Sequence, residues 1–401
     1  MATEARKPPS QFWARLRGIL GGHAGWGGFA FQILFVAALA WVGYEIFANA
    51  RANLQAQRIA SGFGFLSQTA GFGVSQSLIP YSETDTYSRV FLVGLLNTLL
   101  VAVVGIIFAT IIGFIVGIGR LSPNWLVARI AGGYVESVRN LPLLFQILFW
   151  YLAVLGALPG PRQSISLFDK FFLSNRGLVI PKPLGEGGLQ VFLAAVAVAV
   201  IASIALRIYA RRQLFKRGRI IVIWPYVIAL IVGLPALAVL SAGAPVTFEI
   251  PQLKGFNFSG GLRIVPEFVA LVVALSTYTA AFIAENVRAG IMSVQKGQME
   301  AGASLGLSHG ATLRLIVVPQ AMRVILPPLT NQYLNLTKNS SLAVAIGYPD
   351  LFSVFAGTTL SQTGQAIEII AITMGVYLLI SLVTSAIMSF YGWRINRSLG
   401  T

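Results

Sequence analysis

The stretch that decides the fold reads EAGASLGLSHGATLRLIVVP and covers residues 300–319. It lies between two apolar segments, each with the ~20 residues that a membrane-spanning helix needs. Small residues recur in its first half, at Ala301, Gly302 and Gly306, and would let a second backbone approach closely. Glu300 adds a charge to the same surface. The stretch therefore predicts a short connecting element suited to contact with a partner.

Composition places the chain in a membrane. Hydrophobic residues make up 56% of the 401 residues and charged residues only 10%, and the mean hydropathy is +0.76. A soluble protein of this length needs far more polar surface. The chain has no cysteine, which excludes disulfides and thiolate metal sites. Its 29 basic residues against 13 acidic ones are better explained by membrane topology than by nucleic-acid binding.

Apolar segments predict an all-α polytopic membrane protein with about eight transmembrane helices. They lie at about 28–47, 91–119, 130–156, 189–207, 220–241, 266–286, 322–345 and 367–391. The first could instead be a signal peptide, because Ala48-Asn49-Ala50 resembles a cleavage site. Its apolar stretch is longer than the 7–15 residues of the hydrophobic region in a signal peptide, which favours an uncleaved anchor.

The basic residues are distributed unevenly between the two sides of these spans. One side collects 18 of them and the other 9, while most loop acids lie on the second side. Because basic loops stay in the cytoplasm, both termini are predicted to be cytoplasmic, in agreement with an even number of spans. Residues 300–319 fall on the cytoplasmic side.

Residues 300–319 resemble the EAA loop of bacterial ABC importer permeases. The matching positions are Glu300, Ala301, Gly306, Ile316 and Pro319. Gly302 replaces the third small residue of the usual pattern, and Val318 replaces its Leu. The resemblance implies the transmembrane domain of a type I ABC importer, whose loop docks into a cleft of the ATPase subunit. The alternative is an ordinary glycine-rich loop between two spans.

Further blocks, in the same order, resemble the polar and basic amino-acid permease family. They lie at 94–99, 134–144, 284–291, 296–301, 319–331 and 338–342. The usual member has five spans. The extra first span and a two-span insert at about 157–265 resemble one permease of the general L-amino-acid systems. The predicted division is an N-terminal extension at 1–90, a permease domain at 91–391 containing the insert, and a cytoplasmic tail at 392–401.

The resemblance also implies partners and a location. The expected partners are a dimer of ATP-binding subunits, a second permease that makes a heterodimer, a periplasmic amino-acid-binding protein and membrane lipid, with no nucleic acid. The expected location is the bacterial inner membrane. The external stretch at about 48–88 has no assigned contact.

One predicted span, 322–345, is unusually polar. Asn331, Asn335 and Asn339 recur every four residues and share a helix face. This face would be costly in lipid, so it must meet protein or a water-filled path. The candidates for lining the substrate pathway are Asn97, Thr98, Asn331, Asn335, Lys338 and Asn339. The alternative is a hydrogen-bond network between helices. Pro327-Pro328 is expected to interrupt the start of this span.

Two Glu-x-x-Arg pairs lie near the ends of predicted spans, Glu136 with Arg139 and Glu285 with Arg288. At this spacing the opposite charges share a helix face and can neutralise each other. They are predicted to serve as membrane anchors or as parts of a cytoplasmic gate.

No catalytic site is predicted. The chain has no Gly-Lys pair, hence no P-loop for ATP, and His23 and His309 have no recognisable metal-ligand or triad partners. We therefore expect no cofactor, no metal and no enzyme activity, with ATP bound by a partner subunit. The competing hypothesis is an autonomous ion-coupled transporter or channel. It would need a charge at mid-membrane and usually a repeated half, and only Lys338 suggests the former.

Overall fold

The computed structural model describes residues 26–56, 62–185, 188–218, 222–242 and 246–398. Within these ranges, six helices are long and apolar enough to cross a membrane, and a bent pair gives a seventh. A shorter apolar helix, Ala30–Ile46, lies in the first helix. The polytopic helical fold is confirmed, while the count of eight stays a prediction. His23 and the basic N-terminal residues that helped to predict a cytoplasmic terminus lie outside the described residues.

Helices make up most of the described residues. They are α1 Trp26–Ala56, α2 Tyr87–Gly119, α3 Trp125–Arg139, α4 Leu143–Leu148, α5 Leu189–Arg217, α6 Trp224–Ala242, α7 Pro266–Met292, α8 Lys296–Ser304, α9 His309–Thr312, α10 Val318–Asn339, α11 Leu360–Thr363 and α12 Ala366–Ser398. Wider π-helical turns occupy Phe149–Leu155, Leu313–Val317 and Phe352–Thr359. Tighter 3₁₀ turns occupy Phe63–Ser67, Pro161–Gln163 and Ser340–Ile346.

The central contact of the fold joins α2 to α7. A Cβ added at Gly113 would lie 2.6 Å from the Cβ of Ile283, and one at Gly117 would lie 2.8 Å from the Cβ of Val287. Only glycine fits at such distances, so the Gly-x-x-x-Gly spacing in α2 forms the small face against which α7 packs. Ile283 and Val287 are buried there.

The segment predicted as one span at 130–156 is broken. Helix α3 meets the segment Leu143–Leu155, which comprises α4 and the π-helical turn after it, at an angle of 106° around Asn140-Leu141-Pro142. Proline lacks an N–H and disfavours helical backbone in the residue before it, so the helix ends there. The Gln146 side chain donates to the carbonyls of Val138 at 2.9 Å and Leu141 at 3.0 Å and so holds the two sides of the break together. The prediction of one continuous helix was wrong.

The prolines of α10 do not interrupt it, contrary to expectation. The helix runs unbroken from Val318 to Asn339 and contains both Pro327 and Pro328. It starts four residues before the predicted span and changes to a 3₁₀ turn at Ser340. Packing of Ile325 and Leu329 into the core compensates for the hydrogen bonds that the prolines remove.

The insert contains β-structure that the all-helical prediction did not include. Strands β1 Ile165–Leu167, β2 Phe171–Ser174, β3 Gly177–Ile180 and β8 Leu262–Ile264 form one antiparallel sheet in that order. Two further antiparallel pairs are β4 Lys182–Gly185 with β5 Val246–Glu249, and β6 Gln252–Lys254 with β7 Asn257–Ser259. Because β3 pairs with β8, the first sheet brings the two ends of the insert together, and the α5–α6 hairpin connects β4 to β5.

An aromatic cluster packs the stretch before α2 against the core. Phe65 is 1% exposed and lies beside Tyr87 and Phe355, with ring centroids 6.2 and 6.1 Å away. Thr69 and Thr86 pair as a short β-bridge. These contacts fix the described part of the external stretch over the start of α2, which begins at Tyr87 rather than at 91.

Candidate functional site

Residues 296–317 form a compact helical element at the base of α10. Helix α8 ends in a left-handed residue, Gly306, with φ of +74°. The N–H of Leu307 donates to the carbonyl of Gly302 at 3.1 Å, and that of Gly306 donates to Ala303 at 2.9 Å. This is a Schellman turn, in which glycine is the residue of lowest strain. Gly306 therefore sets the direction in which the chain leaves α8.

Gly302 is the point at which α8 packs against the next segment. A Cβ there would lie 2.6 Å from Thr312 Cγ2 and 3.3 Å from Ile316 Cδ1. Gly302, which replaces the third small residue of the EAA pattern, therefore lies at a very close contact between α8 and the next segment. Pro319 lies at the start of α10, directly after the π-helical turn Leu313–Val317. The predicted loop residues Gly302, Ile316 and Pro319 are structural parts of one unit.

The outer face of α8 is exposed. Glu300, Ala301 and Gly306 face solvent, and so does Leu305, which is 78% exposed. Sequence reasoning missed Leu305, although it follows Ala301 by four residues and therefore shares its face. A large apolar side chain beside small residues and one carboxylate suits a protein contact.

An ion-pair cluster joins α2 to α7 close to this element. Glu285 pairs with Arg288 on its own helix, as its spacing predicts, and also with Arg120. Arg120 is the C-cap of α2, where a positive charge is favourable beside the helix carbonyls. Sequence reasoning placed Arg120 on the same membrane side but did not pair it. The cluster fixes the ends of the two helices relative to each other.

The Glu136 and Arg139 pair behaves differently. In the part of the chain that the structure describes, no ion pair joins these two side chains. The Arg139 guanidinium instead lies 5.0 Å from the ring centroid of Phe282 on α7, and Glu136 is exposed. The expected mutual neutralisation is therefore not formed. A cation over an aromatic ring fixes Arg139 to α7 instead.

The polar face of α10 points away from the core. Asn331, Asn335 and Lys338 are exposed and Asn339 is half-buried, whereas the opposite face of the helix buries Leu336. The helix therefore presents a row of amides on its open side. These four residues remain the predicted pathway lining.

Asn97 and Thr98 lie inside the fold, unlike the α10 candidates. Both are 0% exposed. Asn97 Nδ2 donates to the carbonyls of Gln76 and Pro349, each at 2.9 Å, and Thr98 Oγ1 accepts from the N–H of Leu351 at 3.0 Å. The two side chains hold the loop after α10 to α2, a structural role that the pathway hypothesis did not anticipate.

The same loop contains a buried carboxylate, Asp350. It is 0% exposed and accepts hydrogen bonds from the N–H of Ser353 at 2.8 Å and from the hydroxyl of Tyr377 at 3.3 Å. Burial raises its pKa to about 6. Nothing in the local sequence pattern distinguishes Asp350 from an exposed loop acid, so it was missed.

Comparison with known proteins agrees with this architecture. Residues 105–397 match the family model of the binding-protein-dependent transport system inner membrane component. The chain is 54% identical over 365 residues to YhdX of Escherichia coli K12, covering 91% of this chain and 93% of that one.

Two further relatives carry descriptive names. The general L-amino acid transport system permease protein AapQ of Rhizobium johnstonii is 51% identical over 91% of each chain. The glutamate/glutamine/aspartate/asparagine transport system permease protein BztB of Rhodobacter capsulatus is 40% identical, again over 91% of each. The chain belongs to the family of inner-membrane components of binding-protein-dependent transport systems.

Proposed function

We propose that this chain is a permease subunit of an ABC importer that moves L-amino acids of several classes across the inner membrane. The observation that carries the proposal is the 51% identity to AapQ, because it extends over 366 residues and so beyond the part that the family model matches. Part of the stretch before α2 therefore belongs to the compared region, while the two-helix insert lies within the part that the family model spans. An ion-coupled carrier acting alone is the disfavoured alternative.

In the proposed cycle this chain performs no chemistry. ATP is bound and hydrolysed by a dimer of separate subunits, and a periplasmic binding protein delivers the amino acid. A second permease completes the pathway as a heterodimer. The exposed amides of Asn331 and Asn335 suit this arrangement, because they can hydrogen-bond the ammonium and carboxylate of an amino acid without a fixed opposite charge to retain it.

The element around α8 is proposed to couple ATP hydrolysis to this pathway. Its exposed face, with Glu300, Ala301 and Leu305, docks on the ATP-binding subunit. Its inner face is in tight contact with Thr312 through Gly302, and a π-helical turn leads from there directly into α10. A displacement of α8 therefore moves the helix that carries Asn331 and Asn335, because close-packed segments transmit motion.

The test separates docking from folding. Leu305→Asp changes an exposed side chain that has few contacts within the chain, so the variant should insert and fold normally. We expect it to lose co-purification of the ATP-binding subunit and to lose ATP-driven uptake of neutral, basic and acidic amino acids. Leu78→Asp is the matched control, because Leu78 is exposed in the stretch before α2.

Gly306 tests the turn itself. Gly306→Asn should retain most uptake, since asparagine tolerates a left-handed backbone, while Gly306→Val should abolish it. Normal uptake by Leu305→Asp would refute the docking surface. Uptake by the purified chain alone, without ATP, would refute the importer and restore the ion-coupled carrier.

A further inference from the structure

A basic groove lies where the inserted hairpin meets the last span. It measures about 510 Å³ and is lined by Arg211 of α5 and by Phe390, Trp393, Arg394 and Arg397 of α12. None of these lining residues is acidic. The groove brings together two helix ends that are more than 170 residues apart in sequence.

The order of residues places both helix ends at the same depth in a membrane. On α12, the apolar segment ends in Phe390, Tyr391 and Trp393 before Arg394. On α5, Tyr209 precedes Arg211 in the same way. Tyrosine and tryptophan concentrate at the level of the lipid headgroups, and arginines just beyond them reach the phosphates. The groove therefore opens at the headgroup region.

The lining chemistry is that of a phosphate site. Guanidinium groups bind phosphate oxygens with two parallel hydrogen bonds, and three of them line one groove here. Arg397 lies 5.2 Å from the ring centroid of Trp393, which limits the positions that its side chain can take. The exposed apolar sides of α5 and α12 continue from the groove and offer a surface for acyl chains.

We propose that this groove binds the phosphate headgroup of an anionic phospholipid. The lipid bridges α5 and α12 and so attaches the inserted hairpin to the last span of the permease core. This site is independent of the amino-acid pathway and of the face that α8 presents.

The experiment is a lipid titration of the purified, delipidated complex that contains this chain, followed by native mass spectrometry. Phosphatidylglycerol should bind at least about fivefold more tightly than phosphatidylcholine. The double variant Arg394→Gln with Arg397→Gln should weaken phosphatidylglycerol about 25-fold, at about fivefold for each arginine. The matching double lysine variant keeps both charges but not the paired hydrogen bonds, so it should lose less binding than the glutamine variant, and this difference excludes misfolding as the cause.

Arg129→Gln is the control, because Arg129 is an exposed arginine on α3, outside the groove. It should bind phosphatidylglycerol as the parent does. Unchanged binding by the double glutamine variant would overturn the proposal. Displacement of phosphatidylglycerol by an equal concentration of inorganic phosphate would overturn the lipid assignment in favour of a soluble phosphate.

Discussion

The helices of the α2–α7 pair and of the inserted α5–α6 pair are all long and apolar, but the two pairs differ in how closely they pack against the rest of the protein. In α7, 61% of the most apolar stretch is buried within the protein, against 11% in α5 and in α6. Gly113 of α2 touches Ile283, whereas a Cβ at Gly233 of α6 would meet no atom within 4 Å. Lipid accepts any apolar side chain, but a protein neighbour requires a fitting shape. The core therefore limits which residue can occupy each position, whereas the α5–α6 hairpin requires only that its residues be apolar overall.

The strongest test of this difference is a pair of glycine substitutions. Gly113→Leu should destabilise the protein by about 3 kcal/mol or more, because the new side chain overlaps Ile283. Gly233→Leu should change stability by less than about 0.5 kcal/mol. Thermal unfolding midpoints in detergent measure both effects. Equal losses in the two variants would contradict the distinction.

A second test compares the buried Asn97 of α2 with the exposed Asn331 of α10. Asn97→Ala removes two hydrogen bonds and leaves the carbonyls of Gln76 and Pro349 unsatisfied, at a cost of about 2 kcal/mol. Asn331→Ala, at an exposed position on α10, should leave stability nearly unchanged and reduce amino-acid uptake. The same unfolding measurement, combined with an uptake assay, separates the two roles. If Asn97→Ala folded with parental stability, the loop after α10 would not depend on this contact.

These two asparagines show how far sequence reasoning reaches. The helical fold and the Glu285–Arg288 pair follow from residues close together in the chain. Whether Asn97 faces a pathway or a loop depends on Pro349, about 250 residues away, which no local pattern reveals. The same applies to the Arg120–Glu285 pair. The strands of the insert have only three or four residues each, too few for a clear alternating pattern.

A third test concerns charge. Burial raises the pKa of Asp350 to about 6 from an ordinary 3.8, so the folded state prefers the protonated acid. The contribution of Asp350 to stability is then full below about pH 4 and is lost as the pH rises through 6. Asp350→Asn should match the parent near pH 4 and exceed its stability by about 2 kcal/mol near pH 7.

Unfolding midpoints of parent and variant at the two pH values measure this effect, since groups common to both cancel in the difference. Glu249→Gln, at an exposed carboxylate on β5, is the control and should show no such trend. A variant that gains no stability towards neutral pH would show that Asp350 is solvated in the folded protein.

The smallest effect on stability is expected when the whole α5–α6 hairpin is removed. Gly185 at the end of β4 pairs directly with Val246 at the start of β5. The two chain ends that the hairpin joins are therefore adjacent, and an Asn-Gly turn in place of residues 186–245 can close β4 and β5 into a β-hairpin. Because α2 and α7 pack without α5 and α6, the shortened protein should insert and unfold within a few degrees of the parent. A large drop in the unfolding midpoint would mean that the hairpin supports the core. The hairpin would then need a fitting shape, as the α2–α7 contact does, and not only an apolar composition.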